Sequence, residues 1–317
     1  MSKKKKIIIS AIAVFCALVI AAGAIIAVKI TTKDDIDFAV RDTLPEGEGK
    51  KAHVILLAGQ SNAAGCSLDS YLKKNVSATK YDEYSAGYDN VYINYYVTGT
   101  NESREFVKCR NLQGEGGGYF GPELGLAEKL SEQYPDELFF IIKCTWSGTA
   151  LYHQWISPSS VGKTGYLYRQ FVRYVDMNLQ YLKSKNYDVS LEGMCWMQGE
   201  SDCFDINAAK KYASNLNNFI EDLRERYAKY ASDDGIAFID AYIADNPVFW
   251  VYCDIVNSCK QEVADSSPIN VVVDTVSEGL SCSAEPEENP DMAHYDSLSE
   301  IKLGHLFAKE IIEFLDK

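Results

Sequence analysis

Three residues in this chain have the types and positions that acyl-transfer chemistry requires. Ser61 follows the run Val54-Ile55-Leu56-Leu57-Ala58-Gly59-Gln60, and Asp291 and His294 stand three apart in Asp291-Met292-Ala293-His294-Tyr295-Asp296-Ser297. A serine hydroxyl is a weak nucleophile until a base takes its proton, and a neutral imidazole does so near neutral pH. A carboxylate close to that imidazole can hold it through the other ring nitrogen. Asp291 is the first candidate for this orienting role, and Asp296 is its rival. The backbone N–H of Ser61 is a first donor for the oxyanion of a tetrahedral intermediate. His53 precedes an apolar strand and His305 falls in a helical pattern, so neither is expected to be the base. His153, in a loop, is a candidate for a substrate pocket.

The element that must position Ser61 is legible as well. Val54 to Ala58 is a short apolar run rich in branched residues and stopped by glycine, which reads as a strand covered on both faces of a parallel sheet. Ligands of open α/β sheets bind just beyond the carboxyl ends of such strands. Gly59 permits a sharp turn there, and the flanking Gln60 and Asn62 can fix the loop or donate to an oxygen. The plainer reading is an ordinary strand-ending turn, since Gly, Ser and Asn are common turn formers.

Further blocks decide between these readings. Cys195-Trp196-Met197-Gln198-Gly199-Glu200-Ser201-Asp202 ends a second strand, Phe120-Gly121-Pro122-Glu123-Leu124-Gly125 precedes a helix, and Ser147-Gly148-Thr149 lies within Lys143 to Leu151. With Gly-Gln-Ser-Asn and Asp-x-x-His, these blocks resemble the sialate O-acetylesterase and acetylxylan esterase group of the SGNH hydrolase superfamily, similar to carbohydrate esterase family six. The resemblance covers roughly residues 50 to 316. It implies a three-layer α/β sandwich with a central, mostly parallel sheet. It also implies a serine esterase that removes O-acetyl groups from a carbohydrate through an acetyl-enzyme, without a cofactor. Carried over residue by residue, it makes Ser61 the nucleophile, His294 the base and Asp291 its orienter. The oxyanion hole would comprise the N–H groups of Ser61 and Gly148 and the side-chain amide of Gln198. Many relatives carry two glycines before the threonine, where this chain has Ser147-Gly148. Gln60, Asn62 and Glu200 are expected to support the site.

Glu200 and Asp202 also suggest the paired carboxylates of a glycosidase. That alternative leaves Ser61 and His294 unexplained, so both acids are expected to anchor loops by accepting backbone N–H bonds. Trp146, Tyr152, Trp155 and Trp196 are rings on which a sugar can stack, although core packing is an equal use for each. Trp155 is the expected pocket wall. A lipase or thioesterase acting on other acyl esters, and a non-catalytic surface polysaccharide-binding protein on the same fold, are the alternatives.

The chain has 317 residues and a formal net charge of −14. Residues 1–6 contain four lysines, and residues 7–28 form an apolar run. As a helix at about 1.5 Å per residue the run spans roughly 33 Å, enough to cross a bilayer. The lysines should remain cytoplasmic and place the rest outside. The expectation is an uncleaved anchor in the lipid bilayer, against a cleaved secretory signal as the competing reading. Residues 29–50 then form a connector and residues 51–317 a single catalytic domain. With the lysines at 3–6 and 29 set aside, the remainder carries about −19, which disfavours nucleic acid as a partner. Export permits disulfides. Among the nine cysteines, Cys253, Cys259 and Cys282 are the candidates for a bridge, while Cys144 and Cys195 read as core thiols. No spacing resembles a metal site.

Alternating strands and helices complete the picture. Strands are expected at 53–58, 91–97, 138–143, 191–197, 236–239 and 269–273. Helices are expected at 122–133, 167–185, 206–229, 253–264 and 299–315. Residues 67–90 and 98–119 read as loops on the catalytic edge.

Overall fold

The computed structural model describes residues 36–317. Six parallel strands form the core of the sheet: β1 (Lys51–Gly59), β2 (Val91–Val97), β3 (Leu138–Thr145), β4 (Asp188–Met197), β5 (Ala237–Ala241) and β6 (Asn270–Val273). Their spatial order is β6-β5-β4-β1-β3-β2. Short antiparallel segments, Asn101–Glu102 and Val107–Lys108, extend the sheet along β2. β1 is central, and every residue from Ala52 to Gly59 is buried. This is why its sequence is continuously apolar rather than alternating.

The helices are α1 (Ser61–Ala64), α2 (Asp69–Asn75), α3 (Ala78–Ala86), α4 (Glu123–Gln133), α5 (Tyr166–Ser184), α6 (Ile206–Tyr227), α7 (Cys253–Asp265) and α8 (Ser297–Leu315). α5 and α6 share one face of the sheet, where the Phe171 and Phe219 rings stack 6.3 Å apart. α5 buries Leu167, Phe171, Val175, Leu179 and Leu182, the stripe its sequence period dictates. Asp205 caps the start of α6, its carboxylate accepting the Asn207 N–H at 2.7 Å. α4 and α8 cross closely on the other side. A Cβ at Gly125 would lie 2.1 Å from the Ile301 carbonyl oxygen, so this crossing requires the last glycine of the Phe-Gly-Pro-Glu-Leu-Gly block.

The three-layer α/β expectation and all six strands are found, with ends differing by at most three residues. Residues 67–90 differ from the loop expectation: they hold α2 and α3. Both helices are short, and α3 carries little apolar periodicity for the sequence to reveal; the Ser77 hydroxyl caps it by accepting the Lys80 N–H at 3.2 Å. The described part of the connector is not detached from the domain. Phe38 packs on Tyr96 and Tyr174, with ring centroids 5.1 and 4.9 Å apart, and Leu44 is buried. The apolar run 7–28 lies outside the described residues. Among the described residues no helix is long and apolar enough to cross a membrane. The eight described cysteines are free thiols, including the bridge candidates Cys253, Cys259 and Cys282.

Candidate active site

Sheet register sets the stage for the site. Gly59, the last residue of β1, pairs with Thr145 at the end of β3 and with Met197 at the end of β4. The segments beginning at Gln60, Trp146 and Gln198 therefore leave the sheet side by side. Gly59 has φ +138°, and a Cβ there would lie 2.0 Å from the Met197 carbonyl oxygen. That oxygen accepts the Gln60 N–H at 2.9 Å, and the Gly59 carbonyl accepts the Trp146 N–H at 3.1 Å. Only glycine allows the three chains to approach this closely.

Ser61 opens α1 and is 8 % exposed. Its hydroxyl makes no side-chain hydrogen bond to another described residue. Its carbonyl accepts the Gly65 N–H at 2.8 Å, closing the short turn. The second segment, Trp146 to Thr149, brings Gly148 to the surface with φ +67° and open space beside it. It is fastened on both sides. The Trp155 indole N–H donates to the Thr149 hydroxyl at 2.9 Å, and the Ser147 N–H donates to the Thr98 hydroxyl at 3.1 Å.

The third segment supports these two rather than facing outward. Gln198 is fully buried, and its amide nitrogen donates to Asp202 at 2.7 Å and to the Thr149 carbonyl at 2.9 Å. The Gln60 side-chain oxygen is a further contact at 3.3 Å. The Gln198 carbonyl accepts the Tyr212 hydroxyl at 3.0 Å. Both amide hydrogens have partners inside the protein, so here Gln198 holds Thr149 and thus the Gly148 turn. Asp202 does anchor backbone, accepting the N–H groups of Leu151 and Tyr152 at 2.8 and 3.0 Å. Glu200 also supports the turn at Ser61, through a side chain. One of its oxygens accepts the Asn62 side-chain amide at 2.8 Å, the other has no partner, and burial pushes its pKa up.

The fourth segment comes from the far end of the chain. His294 Nδ1 lies 2.9 Å from Asp291 Oδ2, and the other oxygen of Asp291 accepts the Ala293 N–H at 3.1 Å. Asp296 points elsewhere: its carboxylate accepts the N–H groups of Ala284 and Glu285. Burial pushes the Asp291 pKa up, but the His294 contact outweighs it and the net shift is downward. Burial opposes charge on His294; the adjacent Cys66 sulfur and Asp291 outweigh it, and its pKa lies well above the ordinary imidazole value. Asn62 joins this loop to the turn at Ser61 by accepting the Tyr295 N–H at 3.1 Å.

Two site residues escape a sequence reading. The Cys66 thiol lies near His294 and donates to Glu115 at 3.3 Å; burial chiefly pushes its pKa up to about 11. Glu115 also accepts the Ser147 hydroxyl. The available signal was a single carboxylate among glycines in Gly114-Glu115-Gly116-Gly117-Gly118. The expected pocket wall Trp155 is corrected: it has no exposed surface, because its ring packs edge-on against Trp146 and Trp196 in the core. His153 is exposed, with its ring edge-on to Tyr152. His53, near the start of β1 and so at the opposite end of that strand from Ser61, lies between Glu192 and Glu137, and His305 contacts Glu128. Among the described residues no group of three or more His, Cys, Asp or Glu is placed to hold a metal ion.

Comparison with known proteins gives this arrangement a family. Residues 51–313 match the family model described as carbohydrate esterase, sialic acid-specific acetylesterase, and the chain belongs to that family. No curated protein sequence matches. Among solved structures the chain is similar to NanS, with 16 % identity, a TM-score of 0.63, and coverage of 86 % of this chain and 99 % of that one. It is similar to a protein from Arabidopsis thaliana at 19 % identity and a TM-score of 0.58, covering 82 % of this chain and 98 % of that one. A carbohydrate acetylesterase from Xanthomonas citri matches at 16 % identity and a TM-score of 0.54, over 81 % of this chain and 55 % of that one. At these identities the likeness speaks for the fold.

Proposed function

We propose that this carbohydrate esterase is a serine enzyme that removes O-acetyl groups from an acetylated carbohydrate. The observation that carries the reading is the convergence on Ser61 of the Gly148 turn, through sheet register, and of the Asp291–His294 pair, through Asn62. His294 takes the proton of Ser61 as its oxygen attacks the acetyl carbonyl. The N–H groups of Ser61 and Gly148 receive the oxyanion; a well-placed donor of this kind contributes roughly 3 kcal/mol in the transition state. His294 then protonates the leaving sugar oxygen. Water activated by the same ring attacks the acetyl-enzyme, releases acetate and restores Ser61. Asp291 keeps the imidazole in the tautomer that both steps need.

The test is acetate release by the full-length protein from a panel of acetylated glycans and from p-nitrophenyl acetate. The wild type releases acetate, and Ser61→Ala, with unchanged melting, does not. A folded Ser61→Ala variant with near wild-type turnover rules the mechanism out.

The reading includes an outward-facing domain held at the bilayer by residues 7–28, supported by the lysines at 3–6 and the apolar run. Protease added to intact cells should digest the domain. A soluble secreted form beginning near residue 30 would replace the anchor with a cleaved signal.

A further inference from the structure

The carboxylate of Glu115 occupies the rim of the site, between the groups assigned to the base and to the oxyanion. Its placement is fixed by the backbone. The Glu115 N–H donates to the Gly65 carbonyl at 2.8 Å, at the end of the turn that begins with Ser61. Gly114 lies so close to this turn that a Cβ on it would sit 2.4 Å from the same carbonyl oxygen. From Gly116 to Gly118 the loop runs through open space. One carboxylate oxygen, Oε2, accepts the Cys66 thiol, which lies near His294, and the hydroxyl of Ser147, which precedes Gly148. The other oxygen, Oε1, enters neither bond, and the residue is partly exposed.

A group beside the proposed base stands on the side from which the leaving sugar oxygen would be protonated. A carboxylate oxygen accepts a hydroxyl proton well and repels a second carboxylate. Its surroundings reinforce the second effect. The lysines buried nearby are committed, Lys143 to Glu123 at 2.6 Å and Lys260 to Asp240 at 2.5 Å. On the same edge of the sheet, beyond β5 and β6, a groove of about 550 Å³ is lined by Tyr242, Asp245, Asp254 and Asp274. The Tyr242 carbonyl accepts the hydroxyl of Tyr295, the neighbour of His294, at 3.3 Å. The carboxylates of this groove add to the negative field on this edge of the sheet.

We propose that Glu115 is a specificity-determining residue that accepts a hydroxyl of a neutral sugar beside the acetyl ester and turns away sugars bearing a carboxylate. The substrate class is then a neutral acetylated glycan, not the sialic acid of the family's description. This inference rests on the esterase reading. It uses repulsion of the wrong partner together with a hydrogen bond to the right one, the two means by which a site discriminates.

The experiment compares kcat/KM of the full-length protein on three esters: p-nitrophenyl acetate, an acetylated xylo-oligosaccharide and an O-acetylated sialic acid. Each is measured at low and high salt. We expect the neutral oligosaccharide to be favoured over the sialate by about tenfold or more, with the gap narrowing as salt screens the repulsion. Glu115→Gln should raise the sialate rate relative to the neutral sugar by about tenfold. Equal rates on the two sugars in the wild type overturn the inference. So does a Glu115→Gln variant that lowers all three rates in proportion, which would make Glu115 only a prop for Ser147. Should that variant fold poorly, the salt dependence of the wild type decides alone: a sialate rate no more salt-sensitive than the oligosaccharide rate overturns the inference. Loss of the esterase reading has a separate signature, no release even from p-nitrophenyl acetate, and would remove this inference with it.

Discussion

Asn62 and Tyr295 are 233 positions apart in the chain, and the Asn62 side-chain oxygen accepts the Tyr295 N–H at 3.1 Å. The same amide donates to Glu200 at 2.8 Å. One side chain beside Ser61 thereby fixes the backbone beside His294 and ties both to the end of β4. The relative position of proposed nucleophile and proposed base is set in part by this bond, alongside the Ser67 hydroxyl, which donates to the Tyr295 carbonyl at 2.6 Å.

Asn62→Ala should therefore lower kcat on a small acetyl ester by about a hundredfold, with a smaller change in KM, because it misplaces the base without touching the substrate. It should also cost stability, since Glu200 and the Tyr295 N–H lose partners in a buried setting. Asn62→Asp keeps the acceptor but sets a carboxyl against Glu200, and should melt below Asn62→Ala at neutral pH. Kinetics and thermal melting of the two variants test this; wild-type kcat in folded Asn62→Ala would show that the loops hold themselves.

Asp291→Asn should reduce kcat far more than Asp296→Asn, toward the roughly 10⁴-fold loss that follows when an amide replaces the orienting acid of a serine triad. The structure gives the two acids different partners, an imidazole for Asp291 and loop N–H groups for Asp296. The pH profile gives a second readout. A base acts when unprotonated, so kcat/KM rises as pH passes upward through the pKa of His294. That pKa is raised, with Asp291 among the causes that oppose burial, so the acid limb should lie above the ordinary imidazole range. Residual activity of Asp291→Asn should show the limb moved to lower pH. A limb that stays in place would separate Asp291 from the titrating group.

Gln198→Ala should damage both turnover and stability. Its amide donates to Thr149 and Asp202, and its carbonyl accepts from Tyr212, all away from solvent. Removing it leaves buried groups unpaired, at about 1–3 kcal/mol each, and releases the turn that carries Gly148. Melting temperature and kcat should fall together. A variant with unchanged melting and a loss confined to kcat would instead assign Gln198 a direct role as an oxyanion donor.

The contrast between Gln198 and Ser61 shows what the sequence made legible. Ser61 could be placed because a buried parallel strand has a continuous apolar signature, and its carboxyl end is a defined location in the fold. The sheet, five major helices and the pairing of Asp291 with His294 followed from pattern or family resemblance. Side-chain direction did not. Gln198 and Trp155 sit in blocks of functional appearance, yet both point inward, and only three-dimensional packing determines that. Asp202 was read correctly as a backbone anchor. The bond that Glu200, two residues earlier in that block, makes to Asn62 was not legible, since Asn62 lies 138 positions away. Cys66 and Glu115 gain meaning only when the glycine-rich loop folds over the turn after Ser61, a long-range contact with no local signature.

Glu128 offers a test of the fold apart from the chemistry. Its carboxylate accepts from Lys80 at 2.8 Å and Tyr84 at 2.7 Å, and meets His305 Nε2 at 2.7 Å, joining α3, α4 and α8. Burial pushes its pKa up, but these three partners together hold it down at about 2. A carboxylate with a folded pKa below its unfolded value stabilises the fold above the unfolded pKa and loses that contribution as pH falls through the folded one. The window here runs from about pH 4.5 down to about 2, and the contribution at neutral pH is on the order of 2–3 kcal/mol. Glu128→Gln should lower the melting temperature at pH 7 by several degrees. The gap to wild type should shrink steadily below pH 4.5, because the wild-type carboxylate is then being protonated. Melting curves from pH 7 to pH 2.5 measure it. A gap that stays constant across this range would show that the carboxylate charge does not hold these helices together.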